Sequence, residues 1–259
     1  MTTAVKIRTK LGLEIAGLLD TPAIKLDIPL AILLHGFTGW KEEKHITSLS
    51  KALTDAGIAS LRFDAPGSGE SGGTFEHDYT VTNYISAVED VLQYAQELPG
   101  VNPNRIAIWG HSMGGFVALA SSVRYPGFKA VCCCQPSSGP KMIKPGEKEA
   151  WESTGWQSFS NEHFHDLRLP YSFYLDRQTY HASNEAPRLR IPSLFIAGTR
   201  DRSVSLEDIR KMALLAPQPT TYCEFDTTHG YHKYPLAMRE INATTVKFFV
   251  DVLRRREND

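Results

Sequence analysis

The chain has 259 residues, of which 42% are hydrophobic and 22% are charged, and its formal net charge is −1. This composition is ordinary for a globular protein, so it argues against global disorder and against a low-complexity chain. The near-neutral charge removes the electrostatic basis for binding a nucleic acid or an anionic membrane surface. The length suits one large α/β domain or two small ones, with a small molecule or another protein as the partner.

The N-terminus and the cysteines bear on the cellular compartment. The first residues lack the apolar run of a secretory signal, and no stretch approaches the roughly 18 uncharged apolar residues that span a membrane. Three of the four cysteines are consecutive, at positions 132–134. Neighbouring residues of a strand point to opposite faces, which makes a poor disulfide framework. We therefore expect reduced cysteines in a buried strand of a cytoplasmic protein, with a secreted form that has lost its signal as the alternative.

Apolar runs and helical periodicity alternate along the chain. Two segments near the N-terminus, 5–7 and 13–18, are predicted to form an antiparallel hairpin. Short apolar runs, which are typical of strands covered on both faces, lie at 30–34, 58–63, 105–109, 128–134, 193–197 and 222–225. Segments with helical spacing or helix-stop signals lie at 44–56, 83–98, 113–123, 206–215 and 236–253. This alternation predicts an α/β fold with a mostly parallel, doubly wound sheet flanked by helices.

One region breaks this alternation. Residues 136–192 are rich in aromatic and polar side chains and show only weak periodicity. An unstructured connection of that length is uncommon inside a compact α/β core. We therefore expect residues 136–192 to form a small inserted lid or cap.

Two segments match the pattern Gly-x-Ser-x-Gly, which places a nucleophilic serine on a sharp turn between a strand and a helix. Residues 110–114 read Gly-His-Ser-Met-Gly, after a predicted strand and before a predicted helix. Residues 69–73 read Gly-Glu-Ser-Gly-Gly and lead into an acidic loop. The context selects Ser112 as the nucleophile and leaves Ser71 as the weaker alternative.

The glycine-rich loop at 67–73 also imitates two unrelated sites. With His35 and Asp64 it has the residue order of a chymotrypsin-like protease, but that family needs an all-β double barrel. Residues 67–72 match Gly-x-Gly-x-x-Gly, but they do not open into a helix, and the acidic residues that follow would repel a pyrophosphate. We therefore reject both interpretations and expect no nicotinamide or flavin cofactor.

A serine hydroxyl needs a base that a carboxylate holds in place. Asp201 lies in a turn after the strand predicted at 193–197, where a carboxylate reaches the rim of the sheet. Asp226 and Asp208 are its alternatives, although Asp208 falls within a predicted helix. His229 follows the next predicted strand and precedes a glycine, so it is the expected base, with His232 as its competitor.

The oxyanion of an acyl-transfer reaction needs backbone N–H donors. Residues 35–39 read His-Gly-Phe-Thr-Gly and follow the first predicted buried strand. By position, the N–H groups of Phe37 and Met113 are expected to form the oxyanion hole. His35 is expected to brace this loop and is a candidate substrate contact.

Together these motifs resemble the α/β-hydrolase superfamily over nearly the whole chain. The matching segments are 35–39, 64–71, 110–115, 198–201 and 229–230. Within the superfamily, residues 35–39 with 42–46 look most like bacterial feruloyl (cinnamoyl) esterases, compact enzymes with a small inserted lid that cleave hydroxycinnamate esters. The resemblance implies the α/β-hydrolase fold, a Ser112–Asp201–His229 triad, and Phe37 and Met113 as oxyanion donors. It departs at 67–69, where this chain reads Gly-Ser-Gly and those esterases usually carry a histidine, which weakens the substrate assignment but not the triad.

The predicted lid contains candidate substrate contacts. Trp151 and Trp156 head a set of aromatic residues that either form a wall of the site or make up the lid's own core. The remaining members of the set are Phe159, Phe164, Tyr171, Phe173, Tyr174 and Tyr180. His163 and His165 form a His-x-His pair without an evident third ligand, so we predict no metal site.

These residues predict a serine carboxyl-ester hydrolase that uses no cofactor and acts on a small uncharged or aromatic ester. A monoacylglycerol lipase, an amidase or a peptidase of the same fold is the alternative, and a non-catalytic binding protein on a hydrolase scaffold is the alternative from another class. The residues from Phe37 to His229 must fold together to form one site, so we expect residues 1–259 to form one domain with the 136–192 lid inserted in it. A homodimer is compatible with the sequence, and neither nucleic acid nor a membrane is expected as a partner.

Overall fold

The fold is given by a computed structural model that describes residues 1–23, 26–139, 146–160 and 163–254. The strands are β1 Thr2–Arg8, β2 Glu14–Asp20, β3 Ile28–Leu34, β4 Ala59–Phe63, β5 Val101–His111, β6 Phe128–Cys134, β7 Trp156–Phe159, β8 Leu167–Pro170, β9 Ser193–Gly198 and β10 Thr220–Phe225. The helices are α1 Lys44–Asp55, α2 Val81–Gln96, α3 Met113–Arg124, α4 Glu147–Thr154, α5 Tyr171–Gln178, α6 Ala182–Glu185, α7 Leu206–Leu215 and α8 Pro235–Leu253. Among the described residues, no helix combines the length and the apolar character needed to cross a membrane.

The main sheet has eight strands in the order β1-β2-β4-β3-β5-β6-β9-β10. The hairpin of β1 and β2 is antiparallel, as predicted, and β2 also pairs antiparallel with β4. Every later pair, from β4-β3 to β9-β10, is parallel. The predicted mostly parallel sheet is therefore confirmed, and its parallel strands end at one common edge.

The central strands are apolar without interruption because helices cover the sheet on both faces. In β3 every residue from Ile28 to Leu34 is buried. Leu30, Ile32 and Leu34 belong to the core beneath α2 and α3, whereas Ala31 and Leu33 belong to the core beneath α1 and α8. This alternation follows from the two-residue period of a strand.

The predicted elements are all present, and the main difference lies at the start of β5. The strand predicted at 105–109 begins at Val101 and continues to His111. Its first residues are polar or exposed, since residues 102–104 read Asn-Pro-Asn. Val101 pairs with Ile28, and a register shift separates this pair from Leu30–Ile106, so the start of the strand is irregular and carries no apolar signal. The strand at 128–134 and the helix at 206–215 have the predicted bounds.

The cysteines lie where a buried strand was predicted. Cys132, Cys133 and Cys134 are buried in β6, and all four cysteines of the chain are free. Burial raises the pKa of each of these three thiols, which keeps them protonated and unreactive. They serve as small apolar side chains in the core.

Residues 136–192, here called the insertion, connect β6 to β9. Their described part contains α4, α5, α6 and the two-stranded antiparallel pair β7-β8. Residues 140–145 and 161–162 of the predicted lid lie outside the described residues. The insertion therefore has secondary structure of its own, as its length predicts.

Candidate active site

Ser112 lies on the sharp turn between β5 and α3. Its φ is 57° and its ψ is −119°, a conformation that L residues rarely adopt. A Cβ atom at Gly110 would lie 2.1 Å from the carbonyl oxygen of Gly114, and one at Gly114 would lie 2.3 Å from the carbonyl oxygen of His35. Backbone therefore occupies the space of both side chains, which is the physical reason for the two glycines of Gly-x-Ser-x-Gly.

The structure brings Ser112, His229 and Asp201 into one chain of hydrogen bonds. The Ser112 hydroxyl donates to His229 Nε2 at 2.9 Å, and His229 Nδ1 donates to Asp201 Oδ2 at 2.7 Å. The other carboxylate oxygen, Asp201 Oδ1, accepts the backbone N–H groups of Ser203 at 2.7 Å and Val204 at 3.0 Å. The Asp201 side chain is completely buried, so these bonds fix the carboxylate that orients the imidazole.

Ser71, the alternative nucleophile, has a structural function instead. The Ser71 hydroxyl donates to the carbonyl oxygen of Asp64 at 2.7 Å and accepts the N–H of Ala16 at 2.9 Å. Both of its hydrogen-bonding partners are backbone groups, so it ties the glycine-rich loop to β2. Sequence context therefore separated the two motifs in the same way as their geometry does.

The alternative acids and the alternative base lie outside the triad. Asp226 is largely exposed and forms an ion pair with Arg200 at 2.7 Å, and Asp208 accepts a hydrogen bond from Ser138. His232 lies in the 3-10 turn Tyr231–Lys233 that precedes α8. The structure therefore places none of the three in the triad.

The loop at 36–39 presents the two predicted oxyanion donors. Among the described residues, neither the Phe37 N–H nor the Met113 N–H has a backbone or side-chain acceptor. The adjacent Thr38 has a φ of 54°, and its N–H donates to the Tyr79 hydroxyl at 2.9 Å. The donors are thus free for a ligand, and Tyr79 fixes the turn that carries Phe37.

His35 braces this loop from inside the protein. Its Nδ1 donates to the carbonyl oxygen of Gly36 at 2.8 Å, and its Nε2 accepts the N–H of Ala65 at 3.0 Å. The side chain has no exposed surface, and desolvation lowers its pKa, so the ring is neutral. This burial supports the predicted bracing function and argues against the predicted substrate contact of His35.

Tyr79 was not anticipated from the sequence. It lies between an acidic loop and α2, where no motif marks it, and it is 2% exposed. Its ring lies 6.1 Å from that of Phe37 and is parallel to that of Phe173 at 6.0 Å. The only sequence signal was a large apolar residue close to a helix start, which predicts core packing and not a hydrogen bond to an active-site loop.

The aromatic residues of the insertion divide into two groups. Trp151 is buried, donates its indole N–H to the carbonyl oxygen of Leu169 at 3.1 Å, and packs against Tyr171 and Tyr174. It therefore lies in the insertion's own core. Trp156 is 40% exposed, and the Arg168 guanidinium lies 4.0 Å above its ring.

The second group of aromatic residues reaches the oxyanion loop. The ring of Phe37 lies 5.3 Å from that of Phe159 and 5.5 Å from that of Phe173. His163 is stacked on Trp40 at 3.9 Å. Within the described part of the chain, no three His, Cys, Asp or Glu side chains are arranged to hold a metal ion.

A cluster of buried ionisable groups lies behind the triad. The His45 ring lies 4.9 Å from that of His111, and burial lowers the His45 pKa to about 3. Burial also raises the pKa of Glu43 to about 7. A hydrogen bond with the Trp40 backbone acts in the opposite direction and is the smaller effect. The His45 ring is therefore uncharged at neutral pH, whereas Glu43 is only partly protonated there.

The sequence profile of the Alpha/beta hydrolase family matches residues 31–241. Among solved structures, Est1E from Butyrivibrio proteoclasticus with bound ferulic acid has a TM-score of 0.83 at 22% identity and covers 97% of this chain and 100% of that chain. GrgF, an alpha/beta hydrolase from Penicillium sp. sh18, has a TM-score of 0.88 at 18% identity and covers 98% of this chain and 100% of that chain. These similarities show a shared fold.

Curated relatives match over shorter stretches. The quorum-quenching protein AidA of Acinetobacter baumannii is 28% identical over 101 residues, which is 39% of this chain and 33% of that protein. The thiohydrolase apmlB of Arthrinium phaeospermum is 25% identical over 161 residues, which is 58% of this chain and 48% of that protein. The chain therefore matches between about a third and about half of the length of these relatives.

Proposed function

The chain belongs to the alpha/beta hydrolase family, and we propose that it is a serine carboxyl-ester hydrolase that works through an acyl-enzyme. The observation that carries the proposal is the unbroken hydrogen-bonded series from the Ser112 hydroxyl through His229 to Asp201, at 2.9 Å and 2.7 Å. Distances of this kind allow proton transfer from the hydroxyl to the imidazole without rearrangement.

In the proposed first step, Ser112 Oγ attacks the ester carbonyl carbon. His229 Nε2 takes the hydroxyl proton, and the buried Asp201 carboxylate holds the ring and stabilises the imidazolium that forms. The imidazolium then donates this proton to the alkoxide leaving group as the ester C–O bond breaks. Ser112 is left acylated, and His229 is neutral again.

In the second step, water replaces the alcohol. His229 Nε2 removes a proton from the water as its oxygen attacks the acyl carbon, and it returns the proton to Ser112 as the acid leaves. In both steps the negative charge on the tetrahedral intermediate lies within reach of the backbone N–H groups of Phe37 and Met113. Loss of one such donor typically raises the barrier by about 3 kcal/mol.

The substrate we propose is a small uncharged or aromatic ester of the hydroxycinnamate type. Support comes from the aromatic rings of Phe159, Phe173 and Tyr79 that surround Phe37, and from the bound ferulic acid of the structural neighbour Est1E. We infer that the insertion serves as a lid within one domain, because its Phe159 and Phe173 contact the loop that carries the oxyanion donor. The free cysteines support a cytoplasmic location.

The test measures hydrolysis of nitrophenyl esters of increasing acyl length, methyl ferulate, a monoacylglycerol, a thioester and an aminoacyl amide. We expect turnover of the esters, with a burst of nitrophenol equal to the enzyme concentration wherever deacylation is the slower step. Ser112→Ala should abolish it, with a loss of about 10⁴-fold or more in kcat. Ser71→Ala is the matched control and should keep the activity.

Preferred cleavage of the amide or the monoacylglycerol would replace the esterase proposal with one of its alternatives, and the absence of turnover on the whole panel would favour a binding protein.

The pH dependence gives a second test. A general base must be unprotonated to accept the Ser112 proton, so hydrolysis that depends on an imidazole base should fall as the pH is lowered. Undiminished hydrolysis at about pH 4 would contradict a histidine base.

A further inference from the structure

The loop that carries His229 is held by side chains from two neighbouring strand ends. It connects β10 to the turn Tyr231–Lys233. His111 Nε2 lies 3.2 Å from the carbonyl oxygen of His229, and Gln135 Nε2 donates to the carbonyl oxygen of Thr228 at 3.0 Å. Two consecutive carbonyl groups of this loop thus have dedicated donors, and neither donor belongs to the triad or to the oxyanion hole.

We propose that His111 and Gln135 are positioning residues that set the distance and angle of the His229 ring to Ser112. This inference rests on the proposed function of His229 as the base. Neither residue has a part in the chemical steps, since neither contacts the reacting atoms. Both act through the backbone of the histidine loop.

The environment of His111 fits this function. A carbonyl oxygen only accepts, so the short contact to His229 requires a proton on His111 Nε2. The His111 ring lies 4.8 Å from the His229 ring and packs against His45 at 4.9 Å and Tyr231 at 5.4 Å. The side chain is buried, and desolvation together with the neighbouring His229 and His45 lowers its pKa. A neutral ring at this place supports the loop without repelling the imidazolium that forms on His229 during turnover.

Gln135 is fixed just as firmly. It has no exposed surface, its φ is 45°, and its backbone N–H donates to Ile196 of β9 at 2.8 Å. A Cβ atom at Gly198 would lie only 2.4 Å from Gln135 Nε2, so the glycine leaves the space that the amide occupies. An unfavourable backbone conformation and a glycine opposite are both explained if the amide must reach Thr228.

The two donors share a frame with the nucleophile. His111 pairs with Cys134 in the β5-β6 ladder, and the Ser112 N–H donates to the Cys134 carbonyl oxygen at 3.0 Å. Ser112 and Gln135 each follow directly after this pair of residues. The strand pair therefore fixes the nucleophile and, through the two side chains, the loop of its base. A displacement of about 1 Å between such groups costs about 100-fold in rate.

The first test separates the donor of His111 from its ring. His111→Phe keeps a flat ring and removes the N–H, whereas His111→Gln keeps a donor at nearly the reach of Nε2. We expect His111→Phe to lower kcat and the rate of fluorophosphonate labelling of Ser112 by about 10- to 100-fold, with KM nearly unchanged. His111→Gln should recover most of this loss. Gln135→Met, which removes the amide donor, should lower both rates by about tenfold.

Thr245→Val is the matched control, because Thr245 is also buried and its hydroxyl lies 3.8 Å from Cys132 Sγ, away from the site. Thr245→Val should lower Tm by a similar amount to His111→Phe but leave both rates unchanged. Equal rates for His111→Phe and the wild type would overturn the proposal. If His111→Phe does not fold, His111→Gln is compared with His111→Asn, whose amide is too short to reach the carbonyl group. Equal rates for these two would overturn it as well.

A second readout needs no substrate and separates this inference from the proposed function. The His229 Nδ1 proton, hydrogen-bonded to Asp201 at 2.7 Å, is shielded from solvent exchange by that bond, so we expect its resonance in the downfield region of the proton NMR spectrum of the resting enzyme. We expect the resonance in the wild type and in His111→Gln, and its loss or broadening in His111→Phe. An unchanged resonance in His111→Phe would overturn the positioning function even if the wild type hydrolyses esters. The resonance could depend on residue 111 as expected while the wild type neither hydrolyses esters nor reacts with the fluorophosphonate. That result would refute the esterase proposal and leave the positioning function standing.

Discussion

The carboxyl ends of the central strands and the insertion differ in how firmly their residues are held. At the strand ends, Ser112, Asp201 and His229 are joined by hydrogen bonds of 2.9 Å and 2.7 Å, and the Asp201 side chain is completely buried. In the insertion, the strands β7 and β8 have four residues each, and of helix α4 only Trp151 is buried. The sheet therefore fixes the proposed reacting groups, whereas the less covered insertion contributes aromatic rings beside the oxyanion loop.

The parts of the insertion are not all held equally firmly. Its helix α5 is anchored on both sides. The Asp176 carboxylate accepts the N–H of Val81 at 2.8 Å at the start of α2, and Arg177 donates to the carbonyl oxygen of Gly139 at 2.7 Å. The segment from α4 to β7 touches the oxyanion loop through the aromatic contact of Phe159 with Phe37. Changes at the strand ends should therefore alter kcat, and changes at the anchors should alter stability and KM.

The largest effect is expected within the triad. Asp201→Asn leaves the shape of the site but favours the wrong tautomer of His229, so kcat should fall by about 10⁴-fold. Asp226→Asn, which changes an exposed carboxylate 25 residues further along the chain, is the control and should keep its activity. Steady-state kinetics on a nitrophenyl ester decides the matter, and similar losses in both variants would argue against Asp201 as the acid.

The next effect concerns stability at the strand ends and depends on pH. Burial raises the pKa of Glu43 from 4.5 to about 7, so the folded state holds this proton more tightly than the unfolded state does. Its contribution to the free energy of unfolding is therefore greatest below pH 4.5 and is lost as the pH rises to about 7, by up to about 3 kcal/mol. Glu43→Gln removes this loss. Urea unfolding at several pH values should show the variant gaining stability on the wild type between pH 4 and 8, and a pH-independent difference would contradict the buried carboxyl.

The anchor of the insertion should have a smaller effect. Asp176→Ala removes the carboxylate that accepts from Val81 at the N-terminus of α2, which should cost about 1 kcal/mol of stability. It should also raise KM more than it lowers kcat, since it loosens α5 and not the triad. Asp55→Ala is the control, because it breaks an exposed ion pair with Lys51 that contributes little. A fall in kcat at constant KM would show that the insertion takes part in fixing the reacting groups.

The smallest effect is expected where the two regions meet. Tyr79→Phe keeps the ring beside Phe37 and removes the acceptor of the Thr38 N–H at 2.9 Å. A loosened oxyanion loop should lower kcat by about threefold. Tyr94→Phe on α2 is the control, and equal kcat values for the two variants would mean that the loop keeps its shape without this hydrogen bond.

Sequence reasoning was most effective where sterics restrict the choice of residue. The elbow at Ser112 tolerates only glycine at 110 and 114, so the motif marks the nucleophile directly. The order of strands then led to Asp201 and His229. Tyr79 and Gln135 were not predicted as site residues, because each acts through one hydrogen bond to a backbone group that is distant in sequence. His111 lies inside the motif, yet the motif places no demand on that position.

The internal structure of the insertion could not be predicted from its sequence. Its helices are short, and α4 buries only Trp151, so they lack the apolar stripe that marks a helix in a sequence. Its aromatic residues looked alike in the sequence, and only the packing separates Trp151, in the insertion's own core, from Phe159 and Phe173 beside Phe37. Tertiary contacts, and not local pattern, divide such residues between core and site.

The most direct test of the central claim is the site of reaction with a fluorophosphonate, read by intact mass and peptide mapping. We expect one adduct per chain, on Ser112, which is absent from Ser112→Ala and retained in Ser71→Ala. An adduct on another residue, or no adduct on a correctly folded wild type, would contradict the proposal that Ser112 is the nucleophile of an ester hydrolase.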